Sequence, residues 1–474
     1  MRLPAEFEAR MKALLGDEFA DFERAFDAPA VRALRVNTQK MSVEQFLSVC
    51  PFPVTPVPFC PCGFYFDFDG IGHHPLHHSG AVYVQEPAAM AVLECCEIVP
   101  GMKILDLCAS PGGKTSQAAA KTGGEGVLVS NEIVPDRCRV LLQNVERLGI
   151  RNAVVTNADT ATLSESLRDF DLVIVDAPCS GEGMMRKNQN AIDEWSTENV
   201  QMCAARQKEI LANAAKTVAP GGRLLYSTCT FAPEENELQI DDFIKNHPNF
   251  HLIPVSQRVR AVTRDGVRFD GIETENIEFC RRFYPHVSPG EGQFMALLER
   301  SGDANEAQSA PTVVQVSKKD RKSWREQESN AKKERSRGAD TRSAVREFLS
   351  CVLEVDPLES GKFTLEEKPD GFYLVPTLDL PSSAVFSAGV KIGSAEKGRL
   401  IPHHRFFMAF GSDFRIKVEL CASDPRVSSF IHGDVIPVDE PTGFAAVLYE
   451  GAVLGGGKIS GGMLKNYYPK GLRE

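Results

Sequence analysis

The sequence predicts an α/β fold in which a doubly wound parallel sheet is covered by helices on both faces. Three observations support this prediction. Between Gly101 and about Arg300, short apolar strands alternate with amphipathic helices, which is typical of a parallel sheet buried on both sides. The first of these strands runs into a turn with two consecutive glycines. Of the 474 residues, 43% are hydrophobic, so the chain can form buried cores.

The elements of this region follow in a regular order along the chain. Before them, apolar residues at helical spacing over residues 1 to about 30 predict an amphipathic helical start. Residues about 50–80, rich in Pro, Gly, Phe and His, indicate irregular strands and turns. The predicted strands are Met102–Cys108, Gly126–Glu132, Ala153–Asp159, Asp171–Asp176 and Arg223–Cys229. The predicted helices are Pro135–Leu148, Asn199–Val218 and Pro233–Asn246.

The rest of the chain divides by composition. Residues 301–342 are polar, charged and without period, so we interpret them as a linker, and the Gly- and Pro-punctuated remainder as small mixed modules. The predicted domains are an N-terminal element at 1–98, the α/β domain at 99–300, the linker at 301–342, a first C-terminal domain at 343–412 and a second one at 413–474.

The charge of the linker differs from that of the whole chain. The net charge of the chain is −11, whereas Ser317–Arg342 carries ten Lys and Arg against five Asp and Glu. This basic run is either a solvated linker or a flexible arm that contacts phosphates.

The composition also excludes several classes of protein. Thirteen unevenly spaced cysteines are too few for a disulfide scaffold and indicate reduced thiols. No apolar run approaches the roughly 18 residues that span a bilayer, and the N-terminus lacks a signal-peptide core. We therefore expect a soluble, cytoplasmic protein without a membrane partner.

The turn after the first strand has the features of a cofactor site. Gly112 and Gly113 allow the backbone to approach a ligand closely, and Lys114 follows them. In an open parallel sheet, such a turn lies at the carboxyl ends of the strands, where ligands bind. The spacing is neither that of a dinucleotide G-x-G-x-x-G turn nor that of a Walker loop.

An acidic residue stands at the end of each of three successive strands. Asp106 belongs to the first strand, Glu132 ends the second, where it can bond the hydroxyls of a ribose, and Asp159 ends the third. This pattern suits a cofactor with a nucleoside and a cationic centre, such as S-adenosylmethionine. The alternative is a generic tight turn with three surface acids.

Two cysteines lie at the ends of further strands. Cys179 follows Asp176 in Asp-Ala-Pro-Cys-Ser-Gly, and Cys229 lies in Ser-Thr-Cys-Thr, ahead of Glu234-Glu235-Asn236. A cysteine is usually an inert, buried side chain, but two at adjacent strand ends beside a cofactor turn favour chemistry. Methylation of a pyrimidine at carbon 5 needs such a thiol, because a thiolate that adds to carbon 6 makes carbon 5 nucleophilic. The carboxyl group of Asp176 can bond ring nitrogen 3, and the second thiol can remove the carbon-5 proton.

These motifs resemble those of the Sun-type RNA cytosine-5 methyltransferases. The catalytic motifs that carry the resemblance are Asp106–Thr115, Asp176–Gly181 and Ser227–Thr230 with Glu234-Glu235-Asn236. The further matching segments are Leu34–Thr38, Tyr83–Pro87, Arg282–His286 and Gly290–Phe294. The C-terminal Leu454–Lys458 and Leu464–Arg473 resemble the branch of the ribosomal small-subunit methyltransferase F type. The resemblance covers nearly the whole chain and excludes the linker.

The resemblance implies a class I S-adenosylmethionine-dependent methyltransferase with a Rossmann-like sheet. It also implies a small N-terminal RNA-binding element at 1–98 and a PUA-like RNA-binding module at 413–474. The implied partner is RNA, most simply 16S ribosomal RNA or the 30S subunit, and we expect a monomer.

The resemblance also implies the roles of individual residues. It assigns Glu132 to the ribose hydroxyls, Asp159 to the adenine side, and Asp176 to the methyl-donor and cytosine end. It makes Cys229 the nucleophile and Cys179 the residue that assists product release. The implied cofactor loop consists of Cys108, Ala109, Ser110, Pro111, Gly112, Gly113 and Lys114, with Ser110 where the family usually has Ala.

Three other signals carry less weight. A group of metal-type ligands has a C-x-C spacing that is shorter than usual for zinc, so no metal is expected; the resemblance makes this stretch a loop near the cofactor end. The group consists of Cys60, Cys62, His73, His74, His77 and His78. Trp324 in the basic run could stack on a base. Phe406 and Phe407 are interpreted as core of a C-terminal module.

Two rival functions stay open at this point. An RNA-binding or ribosome-assembly protein with a degenerate methyltransferase fold would not bind S-adenosylmethionine. A DNA cytosine methyltransferase would use Cys179, the Pro-Cys thiol, as its nucleophile instead of Cys229. Transfer RNA is the nearest alternative among RNA substrates, and the sequence does not identify the modified cytosine.

Overall fold

A computed structural model describes residues 3–302, 342–377, 384–396 and 399–473. These residues belong to two compact units. Of the described residues, the first unit comprises 3–301, 384–388 and 449–452, and the second comprises 302, 342–377, 389–396, 399–448 and 453–473. Trp324 and all of the basic run except Arg342 lie outside the described residues.

The first unit begins with helices and a small antiparallel sheet. The helices are α1 (Ala5–Leu15), α2 (Phe19–Asp27), α3 (Val43–Val49), α4 (Pro75–His78) and α5 (Pro87–Val92). The strands are β1 (Ala33–Val36), β2 (Val54–Pro56), β3 (Gly63–Phe66) and β4 (Val82–Val84), in the order β2-β3-β1-β4. The predicted helical start is therefore two helices, separated by a turn at Gly16 (φ +53°). Buried Phe7 and Phe22 fix both of these helices against Phe231 of the central domain.

The main sheet of the first unit has ten strands. They are β5 (Lys103–Asp106), β6 (Val127–Asn131), β7 (Ala153–Thr156), β8 (Phe170–Asp176), β9 (Val218–Thr228), β10 (Phe250–Leu252), β11 (Arg264–Asp265), β12 (Arg281–Phe283), β13 (Gln293–Arg300) and β16 (Val385–Ala388). The order is β11-β12-β13-β9-β8-β5-β6-β7-β16, and β10 pairs with β13. The strands β9, β8, β5, β6 and β7 run parallel.

Helices cover both faces of this sheet. They are α6 (Gly113–Lys121), α7 (Pro135–Arg147), α8 (Thr160–Ser166), α9 (Gln189–Asp193), α10 (Thr197–Ala215), α11 (Glu237–Asn246) and α12 (Gln257–Arg260). Alternate residues of the central strands divide between two hydrophobic clusters: Ile104 belongs to one and Leu105 to the other, and both are fully buried. The predicted doubly wound α/β class is thereby confirmed.

Several predicted elements have different ends in the structure. The strand expected from Arg223 already begins at Val218, because its register shifts opposite Phe170 and Leu172. A bulge of this kind accommodates Pro220 and Gly221, which would otherwise interrupt a strand. The strands before Glu132 and Asp159 end earlier than expected, at Asn131 and Thr156. The helix expected over Pro233–Asn246 is a 3₁₀ turn at Pro233–Glu235 followed by α11.

The sheet also contains one strand from the distant part of the chain. β16 pairs antiparallel with β7, with Val385 opposite Thr156 and Ala388 opposite Val154. The amide of Asn157 donates to the Ala384 carbonyl, at 3.1 Å. β16 therefore covers the backbone edge that β7 would otherwise expose.

The second unit contains helices packed with two sheets. The helices are α13 (342–352), α14 (His404–Phe410) and α15 (Arg426–His432). One sheet has the order β14-β15-β17-β18, from Phe363–Lys368, Gly371–Pro376, Val390–Glu396 and Arg399–Pro402. The other has the order β19-β21-β22-β23-β20, from Lys417–Leu420, Gly443–Tyr449, Ala452–Ser460, Met463–Asn466 and Ile436–Pro437. Phe406 and Phe407 are fully buried, as the sequence indicated. The predicted domain boundaries stay predictions.

Two searches of the described residues gave no match. None of the helices in these ranges is both long and apolar enough to cross a membrane. No three His, Cys, Asp or Glu side chains in the same ranges lie together in a way that could hold a metal ion.

Candidate active site

The turn after β5 is fixed between β6 and α7. The Ala109 amide donates to the Asn131 carbonyl at 2.8 Å, and Ser110 Oγ donates to the Arg137 carbonyl at 2.9 Å. Gly112 is the N-terminal cap of α6 with φ at +110°, and a Cβ there would lie 3.2 Å from Leu141 Cδ1. Because other residues are strained in this conformation, glycine is required for the turn. The predicted cofactor loop is thus a closely held backbone turn at the carboxyl edge of the sheet.

Three carboxyl groups surround the thiol of Cys108 in this turn. Burial raises the pKa of Cys108, and so does the negative charge of Asp106, Asp176 and Glu132. Asp106 is fully buried and accepts a hydrogen bond from Thr115 Oγ1 at 2.7 Å. Its burial raises the pKa of Asp106 to about 7. The ends of β6 and β8 bring the carboxylates of Glu132 and Asp176 near this turn, which suits a cationic ligand.

Glu132 and Asp159 have different surroundings. Glu132 is buried; its Oε1 accepts from the Val134 amide at 2.9 Å, and its Oε2 lies 3.4 Å from Arg137 Nη2. Asp159 is exposed and caps α8, with Oδ1 accepting from the Thr162 amide at 2.9 Å and Oδ2 from Thr162 Oγ1 at 3.1 Å. These hydrogen bonds lower the pKa of Asp159. The structure thus brings Glu132, but not Asp159, to the acidic cluster; the adenine role of Asp159 stays a prediction.

Lys114 connects the cofactor turn to the end of β8. Its Nζ lies 2.6 Å from Asp176 Oδ2, and the Lys114 side chain is only 9% exposed. Burial by itself would lower the pKa of Lys114, but the Asp176 carboxylate raises it, with smaller contributions from Asp106 and Cys229. Lys114 therefore holds a positive charge between Asp176 and Cys229.

The two cysteines predicted to be functional are in contact. The Sγ atoms of Cys179 and Cys229 are 3.2 Å apart, and both residues are partly exposed. The hydrogen bond shared with Cys229, together with burial, raises the pKa of the Cys179 thiol well above its usual value. All thirteen cysteines of the chain are free thiols. The structure therefore allows both sulfur atoms to reach neighbouring atoms of one substrate ring.

Two residues without a predicted role complete the surroundings of Asp176. Ser227 Oγ donates to Asp176 Oδ1 at 2.7 Å, and Gln293 Nε2 lies 3.4 Å from the same oxygen. Both lie in motifs that the sequence singled out, but their contacts depend on the pairing of β9 with β8 and β13. In the sequence, their position in a motif was the only indication that these two residues belong to the site.

A third unpredicted residue connects the N-terminal sheet to α6. Arg35 is buried; its Nε donates to Gln85 Oε1 at 3.0 Å and its Nη2 to Ser116 Oγ at 2.6 Å. Arg35 belongs to the segment Leu34–Thr38 and Gln85 to the segment Tyr83–Pro87, which are the two N-terminal motifs of the sequence. Both motifs thus support the helix that follows the cofactor turn.

The cysteine and histidine group makes the following contacts. Cys60 Sγ is 3.8 Å from Cys62 Sγ and 3.7 Å from Glu94 Oε1. His74 Nδ1 accepts from the Leu76 amide at 3.2 Å and caps α4. These contacts are those of a packed loop, and the expectation of no metal stays a prediction.

The residues at the strand ends fit S-adenosylmethionine. The glycine turn offers backbone at close range, Glu132 offers carboxylate oxygens, and Glu132 and Asp176 near Cys108 complement a sulfonium charge.

Comparisons with protein families cover most of the chain. Residues 94–299 match the profile described as 16S rRNA methyltransferase RsmB/F. Residues 3–87 match the N-terminal domain of 16S rRNA methyltransferase RsmF, and residues 417–474 match the methyltransferase RsmF PUA domain.

Individual relatives agree with the profiles. Ribosomal RNA small subunit methyltransferase F of Vibrio vulnificus is 31% identical over 99% of this chain and 97% of its own length. The protein of that name from Klebsiella pneumoniae is 36% identical over 63% of this chain and 64% of its own length. A crystal structure of a methyltransferase homologue from Pyrococcus horikoshii has a TM-score of 0.54 at 29% identity, covering 62% of this chain and 94% of its own. NSun6 from the same organism, crystallised with SFG, shares the fold, with a TM-score of 0.55 at 22% identity over 63% of this chain and 99% of its own.

The parallel sheet, its glycine turn and these relatives define a class I S-adenosylmethionine-dependent methyltransferase. The PUA profile at the C-terminus and the RsmF profile at the N-terminus narrow this class. The chain belongs to the family of the ribosomal RNA small subunit methyltransferases F, which are RNA methyltransferases. The resemblance inferred from the motifs, the class of enzyme and the cofactor are thereby confirmed.

Proposed function

We propose that this chain methylates carbon 5 of a cytosine in 16S ribosomal RNA through a covalent bond between Cys229 Sγ and carbon 6. The observation that carries the proposal is the 3.2 Å separation of the Cys179 and Cys229 sulfur atoms. A reaction in which one thiol attacks carbon 6 and another removes the proton from carbon 5 needs both sulfurs beside one ring edge. The ion pair of Lys114 and Asp176 lies next to them.

Cys229 acts as the nucleophile in this proposal. Its thiolate forms a bond to carbon 6, and the electron pair of the carbon 5–carbon 6 double bond makes carbon 5 nucleophilic. The Lys114 ammonium lies near this sulfur. Bound S-adenosylmethionine supplies an electrophilic methyl group.

Asp176 and Cys179 act on the two other positions of the ring. Asp176, oriented by Lys114 and Ser227, passes to ring nitrogen 3 the proton that Cys229 gives up and then accepts a hydrogen bond from that N–H, which stabilises the adduct. Cys179 takes the proton from carbon 5, the double bond re-forms, and the bond from carbon 6 to Cys229 Sγ breaks. At the same time the proton of the Cys179 thiol passes to the departing Cys229 sulfur, with which it is in contact, and nitrogen 3 returns its proton to Asp176.

The substrate and setting of the reaction rest on the relatives. Proteins of this family are named for 16S or small-subunit ribosomal RNA, which favours that RNA over transfer RNA and over DNA. We propose that the chain acts as a monomer on 16S RNA or the 30S subunit in the cytoplasm, where free thiols such as those of Cys179 and Cys229 persist.

Bisulfite mapping of 16S RNA tests the reaction. RNA from cells that lack the protein is expected to lose a 5-methylcytosine, which the wild-type chain restores and Cys229→Ala does not, although that variant still binds S-adenosylmethionine. Cys179→Ala is expected to accumulate a covalent protein–RNA adduct. Cys351→Ala, at an exposed thiol of α13, is the matched control and should behave as wild type.

Each alternative function predicts a different result in the same experiment. Activity in Cys229→Ala together with its loss in Cys179→Ala would assign the nucleophile to the other thiol. A modified transfer RNA with unchanged 16S RNA would move the substrate. A wild-type chain that forms no 5-methylcytosine would contradict the proposal altogether.

A further inference from the structure

The two contacting thiols need different surroundings to perform different tasks. In the proposed function Cys229 attacks as a thiolate, whereas Cys179 stays protonated until it is needed for release. On the Cys229 side lies the Lys114 ammonium. On the Cys179 side lies the carboxyl group of Glu235, whose negative charge raises the pKa of Cys179. The reaction described above gives Glu235 no part.

Glu235 is fully buried behind the loop that carries Cys179. Its Oε2 accepts from the Ser180 amide at 3.0 Å and from Gln207 Nε2 at 2.7 Å, and its Oε1 accepts from Ser180 Oγ at 2.5 Å. Gln207 Nε2 also donates to the Pro178 carbonyl at 3.0 Å. The residues on both sides of Cys179 are thus anchored to one pair of buried side chains.

The same anchor extends to the loop of the second thiol. Ser180 Oγ lies 2.9 Å from Thr230 Oγ1, next to Cys229, and Tyr226 Oη donates to the Glu235 carbonyl oxygen at 2.7 Å. Burial raises the pKa of Glu235 to about 7, against the hydrogen bonds from Ser180 and Gln207. A buried carboxyl group retained so close to two thiols has a cost in desolvation, which its three hydrogen bonds only partly offset.

We propose that Glu235 is a positioning residue that, with Gln207, holds Cys179 against Cys229 and keeps its thiol protonated until product release. This inference rests on the proposed function. Glu235 touches neither reacting thiol directly; it acts through the Pro178–Ser180 backbone and through its charge. The other ionisable groups that face this pair are Glu182, Cys203, Tyr226 and Cys229.

The first test measures the covalent adduct. In Glu235→Gln the charge is lost and the amide nitrogen can only donate to Ser180 Oγ, so a neutral hydrogen bond of the opposite direction replaces the charge-assisted one and the loop is held less tightly. Turnover is expected to fall and the protein–RNA adduct to rise at least about fivefold over wild type. In a Cys179→Ala background the same substitution should change the adduct by less than about twofold, because the group through which Glu235 acts is gone.

The controls separate this role from a loss of folding. Asp241→Asn removes a buried carboxylate that anchors another loop through the Glu273 and Thr274 amides, and it should not raise the adduct. Gln207→Met keeps the volume but removes both bonds of Gln207, and it should raise the adduct as Glu235→Gln does. The inference would be overturned if both Glu235→Gln and Gln207→Met showed the adduct level of wild type. It would also be overturned if Glu235→Gln raised the adduct as strongly in the Cys179→Ala background as it does in the presence of Cys179.

The second test needs neither RNA nor cofactor. In a Cys229→Ala background, the rate of alkylation of Cys179 by iodoacetamide at pH 9, read by peptide mass spectrometry, should rise several-fold on Glu235→Gln, because removal of a negative neighbour favours the thiolate. An unchanged rate would overturn the electrostatic part of the inference. If the wild-type chain makes no 5-methylcytosine, the proposed function fails, whereas a methylating wild type with these negative results refutes only the role of Glu235.

Discussion

Replacement of Asp106 by asparagine should change how the stability of the first unit depends on pH. Asp106 is fully buried at the end of β5, and its burial raises its pKa from 3.8 to about 7. Between these two values the folded chain holds one proton more at this site than the unfolded chain does. The contribution of Asp106 to the free energy of unfolding therefore falls as the pH rises through this range. Asparagine does not ionise and can still accept the hydrogen bond from Thr115.

The size of the effect follows from the width of that range. Each unit of pH inside it lowers the wild-type free energy of unfolding by up to about 1.4 kcal/mol relative to the variant. From pH 5 to pH 7, the free energy of unfolding of Asp106→Asn should thus rise by about 2–3 kcal/mol relative to that of wild type. Because the other titrating groups are common to both proteins, the difference between them isolates Asp106.

Urea unfolding followed by far-ultraviolet circular dichroism at pH 5, 6 and 7 measures this difference. Asp136→Asn is the matched control, because the Asp136 side chain at the start of α7 is 87% exposed. The difference in the free energy of unfolding between this variant and wild type should not increase with pH. If the gap between Asp106→Asn and wild type were constant across the three pH values, the carboxyl group would not be held in a desolvated position, and the reasoning from its burial would be refuted.

Two further predictions concern other parts of the first unit. Glu237→Gln should lower the free energy of unfolding in urea by about 3–5 kcal/mol, because it leaves the buried guanidinium of Arg282 without its charge partner; Arg282 Nε lies 2.6 Å from Glu237 Oε1. Glu278→Gln, in an exposed ion pair with Arg268, should lower the same free energy by less than about 1 kcal/mol. Gly112→Ala should weaken S-adenosylmethionine binding at least about tenfold by calorimetry, since a side chain is strained by about 1–2 kcal/mol at φ +110° and displaces the turn; unaltered affinity would show that the turn does not hold the cofactor.

Local patterns were sufficient to predict much of the site. Gly112 and Gly113 mark a turn by their own conformational freedom, and a strand ahead of them places that turn at the carboxyl edge. Cys179 and Cys229 follow two strands that turned out to be neighbours, β8 and β9, so their sulfur atoms meet. In these cases the residue type and its place after a strand carry the information.

The remaining features depend on contacts between distant segments. Asp159 follows a strand as Glu132 does, but two residues separate it from the end of β7 at Thr156, and it caps α8 instead. The hydrophobic periodicity of the sequence does not indicate this difference. Glu235 meets Ser180 and Gln207 only after α10 has packed beside the Cys179 loop. The bulge that lets β9 include Pro220 is likewise a property of its pairing with β8.

The tenth strand of the main sheet has a consequence for how the protein is made. Since β16 lies at Val385–Ala388, the methyltransferase unit is not a continuous stretch of sequence. A nascent chain that has been synthesised only as far as residue 301 still exposes the hydrogen-bonding groups of β7, and they are paired only after about 80 more residues have left the ribosome. A shortened gene that stops after β13 would encode all the residues of the active site but yield a product prone to self-association along that open edge.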